Sequence, residues 1–244
     1  MKNILLKISY DGTSYCGWQR QNNAISVQQK IEDAIFKLTG NAISIFGASR
    51  TDAGVHAYAQ MATFLDSSNI PADKFSFALN ANLPADIRII ESKEVQPTFN
   101  PRYDAIKKTY QYHIHNSLHA SAILRNHSYH VYGNLNFGAM QEACSLFIGT
   151  HDFSSFEASG GITKSKIRTI FDSKLLQNGE KIIFEITGNG FLYNMVRIMA
   201  GTLIDIGKNK ISKENILLSY ESKNRNLLGH TAPAQGLFLY NINY

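Results

Sequence analysis

The sequence predicts an α+β fold of two pseudo-symmetric α/β halves, residues 1–104 and 105–244, in which antiparallel sheets are covered by helices. Apolar strand patterns alternate with amphipathic helix patterns, and the same order begins again past Pro97 and Pro101. Asn178-Gly179 joins two apolar runs and is a strong hairpin signal. Strand pairs separated by helices favour sheets that are covered on one side. A cleft between the halves is the natural place for a site.

The best-marked element of the first half is a helix expected over residues 27–38. Ser26 is a favourable N-cap, Gln29 completes a capping box with it, and Gly40 can end the helix. Apolar side chains recur along this segment at helical spacing. The other elements expected in this half are strands at 4–10, 43–47, 58–65 and 87–95 and a helix between Pro71 and Leu83.

The second half repeats this order with longer connections. A strand at 109–116 is expected to lead into an aromatic, histidine-rich connection, and the sequence HDFSSF at 151–156 is typical of a turn or short helix. The remaining expected elements are helices at 136–148, 191–206 and 213–222 and strands at 167–176, 181–187 and 236–242.

Composition excludes several classes of protein. The chain has 244 residues and 44% hydrophobic residues, which suffices for a sizeable core and argues against disorder. No apolar run approaches the roughly 20 residues that span a bilayer, and the N-terminus lacks the features of a signal peptide. Cys16 and Cys144 belong to no paired motif. We therefore expect a cytoplasmic protein with reduced thiols.

The basic residues are unevenly distributed along a chain of net charge +5. No acidic residue occurs between Asp104 and Glu142, where Lys107 and Lys108 accompany five histidines and several tyrosines. A second acid-free stretch carries Arg168. Cations neutralise phosphates and aromatic rings stack on unpaired bases, so these stretches indicate an RNA-binding surface. The alternative is an ordinary solvated face on a mildly basic protein.

The densest group of polar residues is the segment GASRTDAGVHA at 47–57, which lies between two expected strands. It contains Arg50, Asp52 and His56. Taken alone, the Asp-Ala-Gly sequence is typical of a turn, with Gly54 at positive φ. His56 fits a structural role better than a catalytic one.

The helix expected at 191–206 gives Asp52 a second interpretation. It is apolar on nearly every side, which is typical of a buried helix, and Arg197 is its only charged residue before Asp205. A buried guanidinium requires a partner, and Asp52 is the best isolated carboxylate between apolar strands. Such a pair would keep Asp52 ionised and fix its direction. Alternatively, Arg197 extends to the surface or caps backbone carbonyls.

The segment SRTDAGVHA resembles the signature of the TruA family of tRNA pseudouridine synthases. The resemblance extends in order through nearly the whole chain, which makes it far more specific than a lone Arg-Thr-Asp. The family usually has glycine before the signature arginine, where this chain has Ser49. The matching blocks are YDGTSYCGWQRQ (10–21), SVQQKIEDAI (26–35), SRTDAGVHA (49–57), NANLPADI (80–87), FNPRYDAIKKTYQYHIHN (99–116), HDFSSF (151–156), NGFLYNMVRIMAGTLIDIG (189–207) and APAQGLFL (232–239).

The resemblance implies a role for four residues. Asp52 corresponds to the catalytic aspartate and Arg50 to the arginine that helps displace the target base from its stack. Tyr110 corresponds to the tyrosine that packs on the uracil, and Arg197 to the arginine paired with the catalytic carboxylate. The resemblance also implies two α/β halves that face each other across a basic active-site cleft, usually in a homodimer. The family acts on uridines 38 to 40 of the tRNA anticodon stem-loop. Lys107, Lys108 and Arg168 are further candidate phosphate contacts.

Pseudouridine formation needs few groups, because the uracil leaves the ribose through N1, turns, and rejoins through C5 without redox change. No cofactor and no metal is therefore expected. The carboxylate can attack the sugar or the ring or remove a ribose proton, and the sequence does not choose among these. His113 and His115 share a strand face without a third metal ligand, so RNA contact or exposure is expected. The competing hypotheses are a non-catalytic RNA-binding module and a glycosidic-bond hydrolase, which usually needs two carboxylates.

Overall fold

The computed structural model describes all residues from Met1 to Tyr244 and divides them into two compact units. The first unit is Met1–Ile106 with Phe238–Tyr244, and the second is Lys107–Leu237. The sequence-based division at residue 104 places the last strand with the second half, whereas the structure groups it with the first unit. No helix is long and apolar enough to cross a membrane.

The first unit is a mainly antiparallel sheet with two helices. Its strands are β1 (Lys2–Tyr10), β2 (Phe46–Gly47), β3 (His56–Asp66), β4 (Ile87–Val95) and the chain's last strand, β10 (Leu237–Asn243). Its helices are α1 (Val27–Thr39) and α2 (Phe75–Asn80), the latter preceded by a 3-10 turn at Ala72–Lys74. The sheet order is β4-β1-β3-β10, with β2 on β3, and β10 joins β3 in parallel, which explains why the last strand belongs here.

Helix α1 forms as its sequence predicts. The Ser26 side chain accepts a hydrogen bond from the backbone N–H of Gln29, and Gly40 ends the helix with φ 73°. The expected strand at 43–47 is shorter, because α1 side chains bind the Ile45 backbone instead. Ile45 N–H donates to Glu32 Oε1 over 3.1 Å, and Gln28 Nε2 donates to the Ile45 carbonyl over 3.2 Å.

The second unit has strands β5 (Lys107–Asn116), β6 (Tyr129–Val131), β7 (Gly149–Asp152), β8 (Ile167–Asn178) and β9 (Lys181–Gly188). Its helices are α3 (Phe137–Ser145), α4 (Met195–Gly207) and α5 (Glu214–Ser222). The order β5-β9-β8-β7 is antiparallel, and the predicted Asn-Gly hairpin joins β8 to β9. The predicted α+β class, with sheets covered by helices, is confirmed.

Two expectations about the second unit are wrong in detail. The histidine-rich connection contains a strand, β6, which pairs in parallel with β5 and whose Val131 carbonyl accepts from Asn116 Nδ2 over 2.8 Å. Helix α4 begins at Met195 rather than at residue 191, because Asn194 has φ 59°, outside the right-handed helical region. Every residue of α4 except Arg197 is buried.

Asp152, at the end of β7, connects the HDFSSF segment to the end of α5. Its carboxylate accepts from Ser154 N–H over 3.0 Å and lies 2.7 Å from Lys223 Nζ. The ammonium of Lys223 and the Ser154 hydroxyl lower the pKa of Asp152 to about 2. A carboxyl group whose pKa is lower in the folded than in the unfolded chain stabilises the fold at pH values above its unfolded pKa. This stabilisation is lost as the pH falls toward 2.

We therefore expect Asp152→Asn to lower the free energy of unfolding near neutral pH by about 1 kcal/mol, a figure reduced because Lys223 is largely solvated. Urea denaturation at several pH values measures it, and the difference from wild type should shrink below a pH of about 3. Asp33→Asn, which changes an exposed carboxylate on α1, is the control. A deficit that stays constant down to the lowest pH would contradict the ionic origin.

Candidate active site

Asp52 lies in the loop that connects β2 to β3 and is partly exposed. The loop leaves β2 with Ala48 N–H bonded to the Met61 carbonyl, and it closes a turn in which Val55 N–H donates to the Asp52 carbonyl over 3.1 Å. Gly54 has φ 77°, as the sequence predicts for this turn. The turn and a chemical role are compatible, because the turn uses the Asp52 backbone.

Residues 10–18 hold this loop in place from the opposite side. Tyr10 Oη lies 2.7 Å from Thr51 Oγ1, and Trp18 N–H donates to the Thr51 carbonyl over 3.1 Å. Gly54 N–H donates to the Tyr15 carbonyl over 3.3 Å. Thr51, the residue before Asp52, is therefore held through both its side chain and its backbone. This restricts the directions in which the Asp52 carboxylate can point.

The two loops approach so closely that glycine is required at Gly12. A Cβ atom there would lie 2.0 Å from the Val55 carbonyl oxygen, which is a backbone atom with little freedom to move. Gly17 combines a similar approach to the Thr51 carbonyl oxygen, 2.4 Å from an added Cβ, with φ 84°. The block YDGTSYCGWQRQ thus acts as the support of the Asp52 loop.

His56 belongs to this support. Its ring is buried and stacks on Phe238, with ring centroids 4.6 Å apart. Nδ1 lies 3.0 Å from Gly12 N and 3.1 Å from Asp11 Oδ1. One ring nitrogen cannot accept from an N–H and donate to a carboxylate at once, and the Gly12 N–H points at Nδ1 as its acceptor. Nδ1 therefore accepts from Gly12, which supports a structural role for His56.

Arg50 is exposed, and a chain of amides connects it to α1. Its Nε donates to Gln19 Oε1 over 3.2 Å, and Gln19 Nε2 donates to Gln28 Oε1 over 2.8 Å. Gln28 Nε2 in turn donates to Glu32 Oε1 over 2.8 Å, and both of these α1 residues are buried. Sequence reasoning missed this chain, although buried polar residues four apart on an otherwise apolar helix face mark it.

Ser49 occupies the position where the family usually has glycine. Its backbone N–H donates to Gln60 Oε1 over 3.2 Å, and its carbonyl accepts from Gln60 Nε2 over 2.6 Å. Its φ is not positive, so no strain arises from its side chain. The departure from the family pattern leaves the loop intact.

Tyr110 lies on β5, opposite Ile186 of β9. Its side chain is 6% exposed, and its ring meets Phe191 edge-on with centroids 5.1 Å apart. An edge-to-face contact of this kind fixes the orientation of the ring.

Arg197 is the one residue of α4 that is only partly buried. Its Nε donates to the Ala232 carbonyl over 2.8 Å, and its Nη1 donates to Asn194 Oδ1 over 2.7 Å. Capping of a backbone carbonyl, which the sequence left open as an alternative, is therefore present. These two bonds fix the plane of the guanidinium, and the pairing of Arg197 with Asp52 stays a prediction.

The other candidate RNA contacts differ in their surroundings. Lys107 is exposed and Lys108 is half-buried at the start of β5. Arg168 Nη1 donates to the carbonyls of Ser165 and Ile167 over 3.0 and 2.6 Å, and burial lowers the pKa of Arg168, partly offset by Glu157. Arg168 is thus held by the backbone of residues just before it in the chain, which makes it a weaker candidate than the lysines.

The expectation that His113 is exposed is wrong, whereas its contact with RNA stays a prediction. Its side chain is buried within the sheet, and its Nε2 lies 3.1 Å from Gln111 Oε1. Both faces of β5 are buried from Thr109 to Ile114. The two-residue spacing of His113 and His115 therefore does not identify a solvated face of this strand. His115 is half-buried, and its ring centroid lies 5.9 Å from that of His130.

The family described as tRNA pseudouridine synthase matches residues 7–104 and 143–244, which include Arg50, Asp52 and Arg197. The chain belongs to this family. The tRNA pseudouridine synthase A of Acetivibrio thermocellus is 52% identical over 244 residues, the full length of both chains. That of Ruminiclostridium cellulolyticum is 50% identical over 245 aligned residues and that of Clostridium acetobutylicum 46% over 244, again with both chains covered completely.

Membership of the tRNA pseudouridine synthase family confirms what the ordered sequence motifs imply about the reaction. The enzyme is an isomerase that converts uridine to pseudouridine in tRNA. The competing hypotheses of a non-catalytic RNA-binding module and a glycosidic-bond hydrolase do not fit this family. Tyr110 lies outside the two matched segments, so its assignment depends on the TYQY motif alone.

Proposed function

We propose that the enzyme modifies uridines 38, 39 and 40 of the tRNA anticodon stem-loop, with Asp52 as the essential carboxylate. The target positions are those that the family resemblance implies. The observation that supports the role of Asp52 is the support of its loop by residues 10–18, through the Thr51 contacts and the close approach at Gly12. Catalytic carboxylates act from fixed positions, because orientation supplies much of the rate enhancement.

Three further residues complete the proposed site. Arg197 keeps Asp52 ionised and oriented, and its own plane is set by Ala232 and Asn194. Tyr110 packs on the uracil and accepts the C5 proton directly or through a water molecule. Arg50 fills the gap left by the extruded uridine or holds a phosphate, with its direction set by Gln19.

The chemistry balances with these groups alone. The glycosidic bond to N1 breaks, the uracil turns within the site, and a bond forms from C5 to the same ribose carbon. The C5 proton passes to the general base, and N1 takes up one proton from solvent, so the net change is an isomerisation. Extrusion of the uridine costs a few kcal/mol, which contacts to the RNA backbone must offset. The enzyme is further proposed to act as a cytoplasmic homodimer, which the family resemblance implies.

Release of tritium from tRNA labelled at C5 of uridine tests the activity and the target together. Full-length tRNA with uridine only at positions 38 to 40 of the anticodon arm should release tritium with the chain intact. The matched substrate carries cytidine at those three positions and should release none. Equal release from both substrates would contradict the proposed target, and release of free uracil would contradict the isomerase reaction.

The salt dependence of tRNA binding tests the proposed phosphate contacts of Lys107 and Lys108. If both neutralise phosphates, the double alanine variant should bind more weakly and lose about two units from the slope of log affinity against log salt concentration. Filter binding at several potassium chloride concentrations gives this slope. The control is the double variant Lys30→Ala and Lys37→Ala on α1, and an unchanged slope in the β5 variant would remove these lysines from the interface.

A further inference from the structure

We infer that Asp205 and His230 are positioning residues for Arg197, which they hold through the segment 228–232 that crosses α4. The inference rests on the proposed function, because it assigns these residues to the site in which Arg197 acts. Asp205 lies at the far end of α4 from Arg197, and His230 lies in the segment between α5 and β10. Neither residue is assigned a role by the sequence motifs.

Side chains of α4 attach the segment at Gly229 and His230. Gly229 N–H donates to Thr202 Oγ1 over 3.1 Å. Asp205 Oδ2 accepts from His230 N–H over 3.1 Å and lies 2.8 Å from His230 Nδ1. A single buried carboxylate oxygen therefore holds both the backbone and the ring of His230.

The segment also packs directly on the helix backbone. A Cβ atom at Gly201 would lie 1.8 Å from the His230 carbonyl oxygen, so no larger residue fits on this side of α4. Gly201 itself is buried, as is Thr202. The side-chain hydrogen bonds and this close backbone approach together fix the position of residues 228–232 along α4.

At its other end the segment reaches Arg197. Ala232 N–H donates to the Arg197 carbonyl over 3.1 Å, and the Ala232 carbonyl accepts from Arg197 Nε over 2.8 Å. Ala232 is fully buried. Any movement of the segment along α4 would therefore turn the guanidinium, because its Nε partner is a backbone atom of that segment.

The charge of Asp205 makes this attachment strong. Burial raises the pKa of Asp205, but the hydrogen bonds from His230 and the nearby Lys210 outweigh it, so the pKa lies below its usual value. Lys210 Nζ lies 3.3 Å from Asp205 Oδ1, the oxygen that does not hold the segment. Lys210 thus pairs with one oxygen of the carboxylate and the segment with the other, which makes Lys210 a matched control.

The test compares Asp205→Asn, Lys210→Ala, Arg197→Lys and the double variant Asp205→Asn with Arg197→Lys, using tritium release from tRNA. Asp205→Asn should lower kcat about tenfold with KM within about twofold, because small misplacements of a catalytic group reduce rate more than binding. Lys210→Ala should leave kcat unchanged, because both bonds from His230 to Asp205 Oδ2 remain. The double variant should be no more than about twofold slower than Arg197→Lys, because Asp205 acts through Arg197.

His230→Ala keeps the buried carboxylate and alters a partly exposed side chain, so it serves if Asp205→Asn does not fold. His230→Ala should lower kcat about threefold. In the Arg197→Lys background the same substitution should leave kcat unchanged. Losses that multiply in the double variants, or an unchanged kcat in Asp205→Asn, would overturn the inference while leaving the proposed function intact. Full activity of Arg197→Lys and Arg197→Met would instead contradict the proposed role of Arg197.

Discussion

Replacement of Asp52 by alanine is expected to lower kcat at least about a thousandfold while tRNA affinity stays within about tenfold of the wild type. The carboxylate should interact with the reacting uridine mainly in the transition state, so its loss affects the rate far more than binding. Phosphate contacts supply most of the affinity for RNA, and the proposed contacts of Arg50, Lys107 and Lys108 are left in place by this substitution. Single-turnover tritium release and filter binding measure the two effects separately.

Asp33→Ala is the matched control, since it removes the same charge from an exposed position on α1 of the same unit. It should change neither kcat nor affinity by more than about twofold, because exposed charges are well solvated. Asp52→Asn keeps the size of the side chain and should be as inactive as Asp52→Ala. An Asp52→Asn enzyme with more than about a tenth of wild-type activity would remove the carboxylate from the mechanism.

The parts of the fold that the sequence predicts correctly are those with local causes. The start and end of α1 follow from Ser26, Gln29 and Gly40, which act within one turn of the helix ends. The β8–β9 hairpin likewise follows from Asn178-Gly179. Signals of this kind are complete within a few residues of the chain.

The parts that the sequence predicts incorrectly have distant causes. The strand expected at 43–47 is shorter because Gln28 and Glu32 bind the Ile45 backbone. Strand β6 forms because its residues pair with the end of β5. The last strand joins the first unit because it pairs with β3. Tertiary contacts override local preference in each case.

The same distinction holds for the candidate site. The motif residues Arg50 and Asp52 stand out in the sequence because polar groups and glycine cluster between apolar strands. The support of Arg50 does not stand out, since Gln28 reaches it through Gln19 and lies on a helix well before it in the chain. Buried polar residues on helices that otherwise read as apolar are the sequence signal for such supports.

The support of the Asp52 loop leads to the second large effect, which is expected from Gly12→Ala. The new Cβ would lie 2.0 Å from the Val55 carbonyl oxygen, about 1 Å closer than non-bonded atoms allow, so residues 10–18 must move away from the loop. That movement breaks the bond from Gly12 N–H to His56 Nδ1. We expect a loss of about 3 kcal/mol in the free energy of unfolding and about a hundredfold in kcat.

Gly138→Ala is the control that distinguishes a steric clash of the new Cβ from the general effect of replacing glycine by alanine. Gly138 lies in α3, where an added Cβ meets only Asn136 Oδ1 at 3.6 Å, an ordinary contact. Alanine there should leave kcat unchanged and stabilise the fold by up to about 1 kcal/mol, because it favours the helix. If Gly12→Ala matched this control in urea denaturation and in kcat, the loops would be free to separate without consequence, and a fixed position of Asp52 could not be the basis of its catalysis.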